Sequence, residues 1–353
     1  MIKYLGSKRT LVPHIVSLVQ RLPDVRGVCD LFTGTTRVAQ ALKRHDYHVI
    51  ANDLATYSYQ MALAFIEADA AHLDISKLQR WIDHLAALPG VEGYVTRTFC
   101  QEARFFHPKN GMRIDAIRDG IDQLDASPHE RAILLTSLML AADRVDSTTG
   151  LQMAYLKSWA PRAHNDLDLR LPDLLPGTGA AYQEDAVAFV ERGGTRDVDL
   201  TYVDPPYNQH SYFGNYHIWE TLMRNDAPET YGVARKRIDT RENRSAFNSK
   251  RAFADAFERT ILGIESPYLL VSFNDEGYIT AEEIERLLAE KGHVARIDVD
   301  FRRYVGARIG IHNPAGVKVG RVSHVRNTEH LFLVGERDAV EHAVNGALAG
   351  AQG

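Results

Sequence analysis

The chain has 353 residues, 45% of them hydrophobic and 25% charged, with a net charge of −5, enough to bury one large core or two modest ones at about 100–200 residues per domain. No apolar run approaches the roughly 18 residues of a membrane span and the start MIKYLGSKRT has no signal-peptide core, so a cytoplasmic protein without a membrane partner is expected. Two cysteines, Cys29 and Cys100, cannot build a disulfide framework, fifteen histidines fall in no ligand spacing so that no metal is expected, and the acidic balance excludes an all-basic surface.

The predicted elements begin with GVCDLF (Gly27 to Phe32), a short apolar run ending in turn residues. The segment TRVAQALKRHD then places Val38, Ala41 and Leu42 on one helical face. YHVIAND repeats the strand, with Asp53 at its end. Such alternation implies parallel strands with helices on both faces. From about Leu54 to Pro172 only helices are predicted. Ile114, Ile117, Ile121 and Leu124 keep helical spacing after an expected Asn110-Gly111 turn, and a second helix opens with Ser127 as N-cap, Pro128 behind it and Glu130 three residues after the cap. The stretch reads as a helical insertion in a sheet domain. Strands return at AAYQEDA around Asp185, VDLTYVD ending at Asp204, PYLLVSFND ending at Asn274, HVARIDVDF and EHLFLVGE. The fold class is therefore α/β, a doubly wound and mostly parallel sheet, whose ligands lie beyond the carboxyl ends of the strands. Two polar connections, Pro228 to Lys250 and Arg302 to Thr328, are too long to be ordinary loops.

The chemistry concentrates in DLTYVDPPYN (Asp199 to Asn208). Pro205 and Pro206 cannot continue a hydrogen-bond ladder, so the chain leaves the sheet stiffly and the Pro205 carbonyl points in a fixed direction. Asp204 adds a carboxylate and Tyr207 a flat ring. The set suits a planar substrate with an exocyclic amino group: two acceptors take its two N–H protons and aim the nitrogen lone pair, while the ring stacks on the base. In DLFTGTTRVA, Asp30, Phe32 and Gly34 occupy the first strand-to-helix turn, and Asp53 follows 23 residues after Asp30, about where a ribose-binding acid sits in nucleotide-binding folds. One glycine in place of a G-x-G-x-x-G pattern favours a nucleoside over a dinucleotide.

Taken together, KYLGSK (Lys3 to Lys8), DLFTGT, Asn52-Asp53 and the DPPY of Asp204 to Tyr207 resemble, in order, the motifs of the Dam-like, D12 class adenine-specific DNA methyltransferases of the alpha group. The resemblance implies a Rossmann-like methyltransferase fold, with a catalytic domain of residues 1–61 and 173–353 and an inserted helical target-recognition domain of residues 62–172. It implies S-adenosylmethionine as cofactor, contacted by Tyr4, Lys8, Asp53 and Asp204, with Asp30, Phe32 and Gly34 lining its pocket and Asp185 at its adenine. The catalytic set would be Asp204, Pro205, Pro206 and Tyr207. Tyr4 stands where relatives often have tryptophan and Ser7 where glycine is common; both keep the ring and the small residue. QHSYFGNYHIWETLMRND (Gln209 to Asp226) is similar to a subgroup with an aromatic loop after the catalytic motif, so that His210, Tyr212, Phe213 and Tyr216 would meet the flipped base, whereas Trp219 and Leu222 equally suit the start of a packed helix. The implied reaction is methylation of adenine N6 in duplex DNA. N4-cytosine or RNA adenine methylation, and an inactive DNA-binding relative, stay open as alternatives. A cognate restriction endonuclease is an expected partner and the nucleoid an expected location.

The two long connections are basic. Between Arg235 and Arg251, Arg235, Lys236, Arg237, Arg241, Arg244, Lys250 and Arg251 face only Asp239 and Glu242, and Arg302, Arg303, Arg308, Lys318, Arg321 and Arg326 face no acid. They are expected to grip DNA phosphates. Arg104, Lys109, Asn110, Arg113, Arg144 and Lys157 of the helical insertion are the candidates for reading the sequence.

Overall fold

The computed structural model describes residues 2–4, 8–207, 211–242, 245–275, 277–302, 311–312, 318–320 and 326–350, side chains excepted at 300–302, 311–312, 318–320, 326–327 and 350. Seven strands form the central sheet: β1 (Gly27–Asp30), β2 (His48–Asn52), β3 (Gly179–Tyr182), β4 (Leu200–Val203), β5 (Tyr268–Asn274), β6 (His293–Arg302) and β7 (Arg326–Gly335). Their order is β3-β2-β1-β4-β5-β7-β6. Neighbours from β3 to β5 are parallel, and only β7 runs against both of its neighbours. This is the doubly wound, mostly parallel sheet expected. Strand order reverses between β1 and β4, which opens a crevice beyond their carboxyl ends.

Every residue of β1 and β4 is buried, as befits parallel strands covered on both faces. Val28, Leu200, Tyr202 and Leu270 pack on one face with α1 (Val12–Val19), α2 (Arg37–Lys43) and α3 (Thr56–Ala62). Cys29, Val203, Leu269 and Val271 pack on the other with α7 (Ala186–Glu191), α9 (Phe253–Gly263) and α10 (Ala281–Leu288).

Between β2 and β3 the chain is helical, with α4 (Ile75–Ala87), α5 (Pro108–Asp122) and α6 (Pro128–Arg144). Their apolar faces, among them Leu78, Ile114 and Leu134, join the core of the first sheet face. The start of α6 carries the expected capping box, Glu130 N donating to Ser127 Oγ at 3.3 Å and Ser127 N to Glu130 Oε2 at 2.9 Å. The expected Asn110-Gly111 turn is corrected: both residues lie within α5. Glycine is there because a Cβ on Gly111 would stand 2.3 Å from Cys100 Sγ, so close packing and not a chain reversal selects it.

The stretch Pro228 to Lys250 holds a small hairpin, Thr230–Tyr231 with Lys236–Arg237. Most of the second basic stretch, with Arg303, Arg308 and Arg321, lies outside the described residues, as do Arg244 and the side chains of Arg302, Lys318 and Arg326. Among the described residues no helix is long and apolar enough to cross a membrane, and no cluster of three His, Cys, Asp or Glu side chains could hold a metal ion.

Candidate active site

The crevice at the reversal of strand order is a cavity of about 620 Å³. Tyr4, Lys8, Asp30, Phe32, Gly34, Asp53, Asp185 and Asp204, named from different parts of the sequence, all line it. Local backbone explains the turn after β1. Gly34 has φ 51°, where a side chain is strained, and a Cβ there would come within 3.4 Å of the Tyr4 ring. Asp53, just past β2, accepts from Gly34 N at 2.8 Å and from Ala55 N at 3.0 Å, and so ties the glycine turn to the next strand. Asp185 caps α7, accepting from Val187 N and Ala188 N at 3.0 and 3.2 Å.

Acidic groups crowd the strand ends. Burial pushes the Asp30 carboxyl up to about 7, although Thr33 Oγ1 and Ala39 N donate to its Oδ2. Its Oδ1 is buried with no partner. Burial likewise raises Asp53, and Asp204 reaches about 6 although Lys8 opposes the shift. Lys8 Nζ lies 3.0 Å from Asp204 Oδ1 and is bonded on its other side to Glu329. Burial works against the ammonium, but these two carboxylates hold its pKa well above the usual lysine range. Glu329, at 2% exposure, was not among the residues singled out in the sequence; it reads there as the polar head of a strand.

Of the DPPY quartet, Asp204 and Pro206 line the cavity. Pro205 is buried, and Tyr207 is half-buried with its ring 5.2 Å from that of Phe273 and 5.9 Å from Lys8 Nζ. Tyr4 stacks against both Tyr216 and Tyr212, at centroid distances of 4.5 and 5.3 Å, and these two lie 6.4 Å from each other. Of the loop after the motif, Tyr212 and Phe213 reach the cavity, while Tyr216 is buried beneath Tyr4. Trp219 and Leu222 are core residues of α8 (His217–Arg224); His210 lies outside the described residues. Glu220, a further buried acid missed in the sequence, lines the cavity and accepts from Thr56 Oγ1 at 2.5 Å. Lys3 pins the N-terminal segment to the end of α6, with Nζ 2.9 Å from Asp146 Oδ1.

Several side chains expected at DNA are paired within the chain. Arg237 is 1% exposed, and its guanidinium is bonded to Asp226 at 2.7 and 2.6 Å and to Asp239 at 3.0 and 2.8 Å. It is a structural ion pair. Arg235 faces Glu102 at 3.1 Å, and Lys236 is half-exposed. Asn110, 1% exposed, donates to the carbonyls of Ala163 and Asn165 and accepts from Leu167 N, which leaves it no base to read. Lys109 is bonded to Asp166 and to the His164 carbonyl, both at 2.7 Å, and Arg144 to the Asp168 carbonyl, but both are surface side chains. Arg113 donates to the Ala86 carbonyl at 2.5 Å and Arg104 lies over the Tyr155 ring.

Residues 4–264 match the family of D12 class N6 adenine-specific DNA methyltransferases. The chain is 30% identical over 322 residues to the modification methylase StsI of Streptococcus sanguinis, covering 86% of this chain and 48% of that protein. It is 30% identical over 309 residues to the Type II methyltransferase M.FokI of Planomicrobium okeanokoites, covering 82% and 47%. With the Type II methyltransferase M.NlaIII of Neisseria lactamica it shares 28% over 318 residues, 85% of this chain and 92% of that one. The chain thus spans about half the length of the first two and nearly all of the third.

Proposed function

The chain belongs to the D12 class of N6 adenine-specific DNA methyltransferases, and from that premise we propose that it transfers a methyl group from S-adenosylmethionine to N6 of an adenine turned out of duplex DNA at a specific sequence. One observation carries this reading: Asp204 opens onto the same cavity as Tyr4, Lys8, Asp30, Asp53 and Asp185.

The residues present fit the cofactor. Asp30 Oδ1, buried without a partner in the cavity wall, suits a cationic or N–H donor group. Asp53 and Asp185 both line the cavity, and in this reading Asp53 would accept from the ribose and Asp185 from the adenine. Bound S-adenosylmethionine supplies an electrophilic methyl group on a sulfonium.

The protein's part is positioning. Asp204 Oδ and the Pro205 carbonyl accept the two N–H bonds of the amino group, and Tyr207 stacks on the base. With S-adenosylmethionine held by Tyr4, Lys8, Asp30, Asp53 and Asp185, the amino nitrogen aimed by Asp204 and Pro205 would take its methyl group, and sulfur would keep the electron pair of the broken bond. Asp204, with its carboxyl pushed up to about 6, is ionised at neutral pH and takes the proton that N6 sheds. The helical insertion, residues 62–172, selects the target through exposed side chains such as Arg104, Lys109 and Arg144. The family favours adenine N6 over the N4-cytosine reading. The names of StsI and M.FokI, a modification methylase and a Type II methyltransferase, support a setting of DNA modification; work on the nucleoid beside a cognate restriction endonuclease belongs to the proposal alone.

Sequencing DNA from cells that express the protein tests the proposal. N6-methyladenine at one recurring sequence is expected; N4-methylcytosine, or unmodified DNA from a folded and expressed protein, overturns it.

A further inference from the structure

We infer that Glu329, at the sheet-buried side of Lys8, is a positioning residue of the methyl transfer: through the Lys8 ammonium it fixes the Asp204 carboxylate in the orientation that receives the substrate amino group. The inference rests on the role of Asp204 proposed above.

Glu329 is nearly the full chain away from Lys8 in sequence, and sheet topology alone brings them together. β7 runs antiparallel to β5 with Glu329 opposite Asn274. In that register Ser272 Oγ donates to Glu329 Oε1 at 2.7 Å and Asn274 Nδ2 to Oε2 at 3.4 Å. The carboxylate is thus held from the floor of the sheet, and it is not part of the cavity wall. Lys8 bridges it to Asp204, which is.

A lysine on a flexible stem, facing only Asp204, would leave the two side chains free to turn together, because an ammonium is a point charge without directional preference. A second carboxylate anchored in the sheet supplies the missing fixed point. It also sets the charge. Two carboxylates around one ammonium leave one negative charge at the cavity wall, the sign that complements a sulfonium and then the cation developing on N6. A lysine paired with Asp204 alone would neutralise that wall.

Glu329→Gln keeps the shape and removes the charge. Single-turnover kinetics on unmethylated DNA, calorimetry with S-adenosylmethionine and thermal unfolding are compared with the parent. The methylation rate should fall about 10- to 100-fold, as for a misplaced reacting group, and cofactor binding should weaken while DNA affinity holds. The acid limb of the rate, set by Asp204, should move to lower pH, since Asp204 loses a like-charged neighbour. The groups facing Asp204 are Lys8, Glu329 and Asp30, with the phenols of Tyr202, Tyr207 and Tyr212; of these charges only that of Glu329 changes. A merely structural Glu329 would lower the unfolding temperature and leave the rate above the acid limb parental, and a parental rate there overturns the inference wherever the limb lies.

Should Glu329→Gln fail to fold, Ser272→Ala removes a bond that holds Glu329 and leaves its charge. A rate loss of about 3- to 10-fold, the worth of one hydrogen bond, with an unshifted limb is then expected, and a parental rate overturns the inference. A parent that methylates no DNA sinks the proposed function instead, so the two failures are distinguishable.

Discussion

Two ionic clusters in this protein look alike in composition and differ in balance. Around Arg237, two arginines meet two acids: Asp226 and Asp239 bind Arg237 and also Arg224, the latter at 2.9 and 3.1 Å. Burial works against the charge on Asp226, yet Arg237 and Arg224 hold its pKa below the usual carboxylate range. Around Lys8, one cation meets two acids, and the Asp204 carboxyl is raised to about 6 by burial, with Glu329 adding to the shift and Lys8 opposing it. A balanced cluster is closed and serves the fold. An unbalanced one is open to an incoming cation; it meets the cavity through Lys8 and Asp204, whereas the balanced cluster meets it through Arg224, whose charge is already paired with Asp226 and Asp239.

That contrast can be broken at four points. Asp204→Ala should have the largest effect: kcat/KM for DNA methylation falls by about 10³-fold or more, near 4 kcal/mol, in a radiolabelled methyl-transfer assay, and retention of a tenth of the activity removes Asp204 from the mechanism. Arg237→Ala comes next, costing about 3 kcal/mol of stability as in a buried pair broken on one side, read from urea unfolding. A loss of a few tenths would mean that the balanced cluster is a surface pair after all.

A smaller effect concerns pH. Asp30 and Asp204, raised by burial to about 7 and about 6, are ionised at pH 8 and take up protons as the pH falls through those values. The site then loses negative charge, so S-adenosylmethionine should bind about tenfold more weakly at pH 5.5 than at pH 8, whereas the uncharged sulfur of S-adenosylhomocysteine should show little of this change. Calorimetry with both ligands at both pH values decides, and parallel losses disconnect the acids from the sulfonium. The smallest effect is expected from Arg235→Ala with Lys236→Ala. With Arg235 paired to Glu102, the slope of log K for DNA against log salt should flatten by no more than about 1. A change of 2 or more would show that the cluster rearranges on DNA.

The same contrast shows what the sequence makes legible. Strand ends are readable because β1, β2, β4 and β5 are short apolar runs cut off by Asp, Asn or Pro, and the residues named at those ends converge on one cavity because parallel strands all end on the same side. Glu329 escapes such reading. Its partner Lys8 is 321 residues away, and the link is the reversed strand β7, whose pairing no local pattern specifies. Arg237 misleads for a simpler reason. Counting charge over the loop alone omits Asp226, which lies just before it and supplies half of the neutralisation. Asn110-Gly111 misleads because a glycine chosen for contact with Cys100 is written with the same letters as one chosen for a turn.

The stacked tyrosines have an optical consequence. Tyr4 rides on the N-terminal segment, whereas Tyr212 and Tyr216 belong to the loop after the catalytic motif, and the Tyr4 ring lies within 16° and 24° of parallel to those of Tyr216 and Tyr212. Rings this close couple their ultraviolet transitions, and the coupling exists only while segment and loop are docked on each other. Near-ultraviolet circular dichroism of the unlabelled protein therefore reports how the N-terminal segment is seated, with Tyr4→Leu as the blank that identifies its band.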